Sequence, residues 1–255
     1  MKITSIALDK AVSDGPIDAF SHVLLSDSPM LDEVLDCLAS LHVADPLHRY
    51  LCTLDEVGQC RYTSMHASDD ERIALYEDED PATPEDALAA RERLLAHVVA
   101  QLEHSTHRLQ WTALAGTLMC SDEDIEALVA ANAKPDLIID DVVCVQQVPV
   151  ASDDLLIAAL PNGYFSADWD LFQNHALIRH LQQRYDYRLF GLGASWLGFQ
   201  RDRAPSPAEA SALVADLQRV YAAGTHDTWS QLAETLATRT TLLLGYTEDF
   251  SEQLP

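Results

Sequence analysis

Basic residues are scarce in this chain. Sixteen Lys plus Arg stand against forty-one Asp plus Glu in 255 residues, a formal charge of −25. Such a surface repels phosphates and anionic headgroups, so neither a nucleic-acid nor a membrane partner is expected. A basic protein would be drawn towards it, although acidity of this size also serves solubility alone. Cysteine is sparse as well. Cys37, Cys52, Cys60, Cys120 and Cys144 are odd in number, widely spaced and without a Cys-x-x-Cys pair. That argues for reduced, buried thiols and against a disulfide framework or a zinc site. No apolar run is long enough to span a bilayer, and MKITSIALDKAVSDG has no signal-peptide core. A cytoplasmic protein is the expectation.

Catalytic motifs are missing too. Gly191, Gly193 and Gly198 suggest a nucleotide loop, but a dinucleotide fingerprint needs Gly where Trp196 stands, and no P-loop Lys-Ser/Thr pair follows. The glycines read better as a tight strand connection, where positive φ costs little. A nucleophile elbow around Ser195 would need Gly at Leu197. His97 and His104 on one expected helix with His107 three residues beyond, and His175 and His180 on another, form no His-Glu-x-x-His motif. Glu77, Asp78, Glu79 and Asp80 lack the alternating ligands and central Gly of a calcium loop. No cofactor and no metal is therefore expected.

What is present is an ordinary globular composition, 48% hydrophobic and 22% charged. The length allows one large domain or two closely packed halves, 1–150 and 151–255. Leu31, Val34, Leu35, Leu38 and Leu41 repeat at a helical period. Thr83-Pro84-Glu85-Asp86 starts a helix running to about His104, and Ser121-Asp122-Glu123-Asp124 starts another. Asp168 or Asp170 caps a helix through Tyr185, and Ser206 caps one ending at Tyr221. Thr228 to Ala237 completes the helices. Strand-like segments are Ile3–Leu8, Tyr50–Leu54, Cys60–Met65, Leu109–Leu118, the LIIDDVVCVQQVPV stretch, Tyr187–Leu192, Ser195–Gln200 and Thr240–Tyr246. Tyr50–Leu54 and Cys60–Met65 read as a hairpin turning at Gly58, while Leu155–Leu160 fits a strand or a short helix. The expected fold class is α/β, of α+β-like character: a mixed sheet with hairpins and flanking helices.

Two stretches stand out as places where binding could occur. Asp69 to Pro84 is an acidic segment, and Glu77 to Asp80 form its interaction loop. Asn162, Tyr164, Asp168, Trp169, Asn174 and His175 follow a Pro-Asn-Gly turn and mix flat rings with amides and a carboxylate, a composition shared by binding surfaces. The competing reading is that Trp169 and Tyr164 simply staple the loop to the core, since aromatic residues dominate cores as well as interfaces.

The last third, QQRYDYRLFGLGASWLGF with PSPAEASALVADLQRVY and WSQLAETLATRTTLLLGYTED, resembles a family of bacterial domains of unknown function that end in a Trp-rich strand. In that family a helix ending in Tyr-Gly precedes two strands, and two helices lead to the last strand. Here Asp186 stands for the Gly, and Leu243, Leu244 and Tyr246 stand for the terminal tryptophans. The family's Cys-Pro-Asp segment is missing near Gly224. The resemblance implies a fold and no activity.

Charge and the lack of catalytic motifs favour a non-enzymatic, protein-binding role in a bacterial cytoplasm. An immunity or antitoxin-like inhibitor of a basic partner fits. The alternatives are an enzyme or small-molecule binder with a pocket near residues 162–175, and a structural subunit of an assembly.

Overall fold

The computed structural model describes residues 1–75 and 80–254. Seven strands form one mixed sheet: β1 (Lys2–Ser5), β2 (Ser21–Ser26), β3 (Arg49–Thr53), β4 (Val143–Val148), β5 (Arg188–Leu192), β6 (Trp196–Gln200) and β7 (Thr241–Gly245). Their order is β1-β2-β4-β3-β5-β6-β7. Every neighbouring pair is antiparallel except β3 and β5, which run parallel with Cys52 opposite Gly191 and Thr53 opposite Leu192. This is the α/β fold with flanking helices expected from the pattern of elements.

The helices are α1 (Leu8–Asp14), α2 (Leu31–Ala44), α3 (Val57–Ala67), α4 (Pro84–Glu103), α5 (Asp122–Ala133), α6 (Leu171–Tyr185), α7 (Pro207–Tyr221) and α8 (His226–Leu236). Four start where the capping chemistry places them. The side chains of Thr83, Ser121, Asp170 and Ser206 each accept a hydrogen bond from a backbone N–H in the first turn of the following helix.

β3, β5, β6 and β7 are buried at consecutive positions, which means helices or loops cover both faces of that part of the sheet. β2 alternates buried and half-buried residues, and the edge strand β1 is exposed throughout. The other edge is closed by a side chain. Asn132 of α5 accepts from the Leu243 N–H at 2.9 Å and donates to the Leu243 carbonyl at 2.8 Å, so an amide takes the place of a further strand. Residues 1–150 supply β1 to β4 and residues 151–255 supply β5 to β7. The two meet at the β3–β5 pair, and α5 packs on α8 and β7 across that division.

Several local expectations are corrected. Cys60–Met65 is no strand, so there is no hairpin at Gly58. The chain turns at Glu56 with φ 39° and enters α3. The buried side of α3 is Cys60, Thr63, Ser64 and Ala67, and Tyr62 and Met65 face outward. A helix whose inner side is small and polar shows no apolar stripe in its sequence. Leu109–Leu118 is not extended but holds a 3-10 turn at Trp111–Leu114. The first strand stops at Ser5, and Leu8 already begins α1. The strand in LIIDDVVCVQQVPV starts only at Val143, after a 3-10 turn at Pro135–Ile138. Leu155–Leu160 resolves as a 3-10 helix, Asp153–Ala159.

Candidate functional site

A cleft of about 530 Å³ opens between the end of α3 and the turn leading into α6. Its wall on one side is His66, Ala67 and the turn Asp69-Asp70-Glu71-Arg72. On the other it is Asn162, Gly163, Tyr164, Asp170 and Leu171.

The turn after α3 is held by backbone bonds from Asp69 N–H to the His66 carbonyl and from Ile73 N–H to the Asp70 carbonyl, with Ile73 fully buried as its anchor. Asp70 accepts the Arg72 N–H at 2.9 Å and forks onto the Arg72 guanidinium. Arg72 reaches on to Asp170 Oδ2 at 2.8 Å and lies over the Phe172 ring, 4.2 Å from its centroid. One guanidinium thus ties the turn to the N-cap residue of α6. Its hydrogen bonds hold the Asp70 carboxyl below the usual carboxylate range, and both partners strengthen the charge on Arg72.

The opposite wall is built around Gly163, whose φ is +82°. A Cβ there would come within 1.9 Å of the Trp169 carbonyl oxygen, so only glycine lets the 162–170 loop fold back on itself. Trp169 is buried: its N–H donates to the Tyr246 carbonyl at 3.0 Å, and its indole N–H donates to Thr117 Oγ1 at 3.0 Å. Asn174 Nδ2 donates to the Trp169 carbonyl at 2.8 Å. Trp169 and Asn174 are therefore the staple that fixes the loop.

The six residues singled out in this stretch go to four places, the staple of Trp169 and Asn174 being the first. Asn162 and Tyr164 line the cleft. Asp168 lies outside it, accepting the Glu248 N–H at 3.3 Å, with burial pushing its carboxyl up to about 6. His175 lies within α6, its ring 3.5 Å from Asp154. Burial alone would raise the Asp154 carboxyl, but the His175 and Ser152 side chains outweigh it and bring it down. Of the acidic loop, Glu77, Asp78 and Glu79 lie outside the described residues, and Asp80 is exposed.

Asn162 has no exposed surface, and its side chain interacts with the buried Tyr246 hydroxyl. That hydroxyl donates to the Gly193 and Ala194 carbonyls at 2.8 and 2.6 Å.

Beside the cleft the surface is aromatic. The ring centroids of Tyr62 and His66 are 4.5 Å apart, those of His66 and Tyr164 4.8 Å, and those of Tyr164 and Phe165 5.2 Å. Tyr62, Met65, Tyr164 and Phe165 are each between 46% and 59% exposed. Tyr62, Met65 and His66 were within reach of sequence reasoning, because three- and four-residue spacing puts them on one face once the segment is known to be helical. The Arg72–Asp170 pair carried no such signal, since it joins positions about a hundred residues apart.

Other chemistry-bearing groups are committed to the core. The five cysteines are free, and burial raises the Cys120 and Cys144 thiols to about 12 and Cys52 and Cys60 further. His180 stacks on Trp111 with centroids 4.0 Å apart and meets Asp216 at 2.9 Å, while Tyr185 donates to the same carboxylate at 2.7 Å. These contacts bridge α6 to α7. Among the described residues no group of three His, Cys, Asp or Glu side chains is placed to hold a metal, and no helix is long and apolar enough to cross a membrane. Compared with known proteins, the chain matches no family model, no curated protein and no solved structure.

Proposed function

We propose that this chain is a protein-binding protein for a basic partner, acting by occlusion in the manner of immunity or antitoxin-like inhibitors. The observation that carries the reading is the continuous chain of rings in which the half-buried His66 links the exposed Tyr62 to the exposed Tyr164 and Phe165, with Met65 beside it. Isolated exposed apolar residues are ordinary, but a contiguous aromatic group is the composition of an interface centre. Asp69 and Glu71 stand exposed beside it, on a molecule of charge −25. Aromatic anchors supply affinity and carboxylates supply steering, a division of labour seen where an acidic surface meets a basic one.

A photo-crosslinking residue placed at Phe165 tests this in the native cell, with Leu47 as control. Leu47 is 85% exposed and precedes β3, at the opposite end of that strand from α3. The expected result is one dominant basic protein joined at position 165 and none at 47. With that partner in hand, Tyr164→Ser with Phe165→Ser should weaken binding about 10- to 100-fold without loss of fold, since both side chains are at the surface. Asp69→Lys with Glu71→Lys should slow association and flatten its salt dependence. Equal crosslinking at both positions would sink the reading.

A further inference from the structure

We infer that a groove along α4 receives a basic amphipathic helix of the partner. The inference rests on the reading of a basic protein partner and adds a contact that shares no residue with the aromatic group.

The groove lies between α4 and the segment that follows β4, with a volume of about 520 Å³. Leu95, Ala96 and Val99 form one wall, and Val150 and Ala151 form the other. Leu95 and Val150 are buried, Val99 is half-buried, and Ala96 and Ala151 are exposed. The apolar stripe of α4 is thus wider than the core it covers, and its rims are small enough for another backbone to come close. A second hollow of about 240 Å³ shares Glu92 and Pro149 with the first and reaches Leu88. From Leu88 to Glu103 the groove follows α4 for about 22 Å, the length of roughly four helical turns. That suits a segment of chain better than a small molecule.

The backbone around the groove decides which kind of segment. Pro149 has no N–H, the Val150 N–H donates to the Val148 carbonyl at 3.0 Å, and the Ala151 carbonyl accepts from Arg49 at 3.5 Å. Little is left there for an added strand to pair with, and α4 spends its own backbone groups internally. A helix docks by side chains alone, laying apolar residues three and four apart against Leu95, Val99 and Val150.

Charge decides the sign of the occupant. Glu92 and Glu103 stand exposed on the groove side of α4, about 16 Å apart along the helix. Neither has an ion-pair partner among the described residues, and Arg91, beside Glu92 in the chain, is held by Asp18 at 2.6 Å. No Lys or Arg is among the residues lining either hollow. Two carboxylates bounding an apolar trough select lysine or arginine at matching positions and reject an acidic helix. A second copy of this chain would bring another −25 to the contact, so the occupant is a different protein.

The test titrates nitrogen-15-labelled protein with three synthetic peptides. The first is an amphipathic helix with leucine and alanine on one face, glutamine on the other, and two lysines spaced to match Glu92 and Glu103. The second carries glutamate in place of the lysines. The third has the composition of the first with its apolar face dispersed. The Ala96 and Ala151 N–H signals should move with the lysine peptide. The dispersed peptide should bind at least about 10-fold more weakly, and the glutamate peptide should leave the signals in place. Ala96→Arg should weaken the lysine peptide at least about 10-fold with Tm unchanged, because the position is at the surface. Ala212→Arg, exposed on α7, carries the same change of charge and should have no such effect. Glu92→Gln with Glu103→Gln should weaken binding and flatten its salt dependence. Equal binding of the first and third peptides would reduce the contact to net charge and overturn the groove. Equal effects of the two arginine substitutions would do the same. A partner crosslinked at Phe165 with no peptide bound along α4 defeats this inference alone. A bound lysine peptide with no partner crosslinked at Phe165 keeps the groove and defeats the reading of the aromatic group.

Discussion

Replacing Gly193 by alanine is expected to destabilise the fold by about 4 kcal/mol, a substantial fraction of the roughly 5–15 kcal/mol that holds a folded domain together. Gly193 follows β5 at the carboxyl end of the parallel β3–β5 pair, and Asp55 follows β3 at the same end. A Cβ on Gly193 would stand 1.7 Å from Asp55 Oδ1 and 2.6 Å from the Asp55 backbone nitrogen. No side-chain rotation relieves an overlap with backbone, so the two strand ends must separate. Overpacking of this kind costs about 1–3 kcal/mol or more. Moving Asp55 also breaks its bond from the Ser195 N–H, 2.9 Å long, and leaves a buried group unpaired at about 1–3 kcal/mol. Urea unfolding measures the loss. Gly58→Ala is the control: a Cβ there meets nothing within 4 Å, and its place in α3 predicts a gain of about 0.5 kcal/mol. Equal midpoints for the two variants would show that the β3–β5 ends do not depend on this contact. The structure also corrects the reason for the glycine. It is needed because a carboxylate occupies the space of its side chain, and positive φ plays no part, for Gly193 is absent from the residues with positive φ.

The second large effect is a pH dependence traced to the same carboxyl. Asp55 is buried, and burial pushes it up to about 7 against the pull of the backbone N–H groups of Ser195 and Trp196. In the unfolded chain it titrates near 4. The folded state therefore holds the proton more tightly. Its contribution to stability is fully present below about pH 4 and is lost as pH rises through about 7. The span between those limits is on the order of 4 kcal/mol as an upper bound. Many other carboxylates titrate over this range, so the quantity to measure is the difference between the wild type and Asp55→Asn at each pH. An asparagine keeps an acceptor for the Ser195 N–H and carries no proton to lose. The variant should gain on the wild type steadily from pH 4 to 7 and level off above. Parallel curves would place the Asp55 titration at its ordinary value.

Part of this protein was decided locally and is legible in its sequence. Thr83, Ser121, Asp170 and Ser206 announce α4 to α7, because a cap is a bond between residues two or three apart. The runs at Tyr187–Leu192, Ser195–Gln200 and Thr240–Tyr246 announce β5, β6 and β7 through β-branched, aromatic and leucine content. The segment near Asn162 was marked by its mixture of rings and polar groups, and two of its six named residues line the cleft.

Only the tertiary structure decided the rest. α3 could not be read because its buried side is Cys60, Thr63, Ser64 and Ala67, which leaves no apolar stripe in the sequence. The parallel pairing of β3 with β5 joins positions about 140 residues apart, and no local pattern encodes which strands become neighbours. The cleft depends on that pairing, for α3 leaves β3 and the 162–170 loop is stapled to the end of β7 through Trp169 and Tyr246. The burial of Asn162 against Tyr246 arises from what surrounds the residue and not from the residue itself.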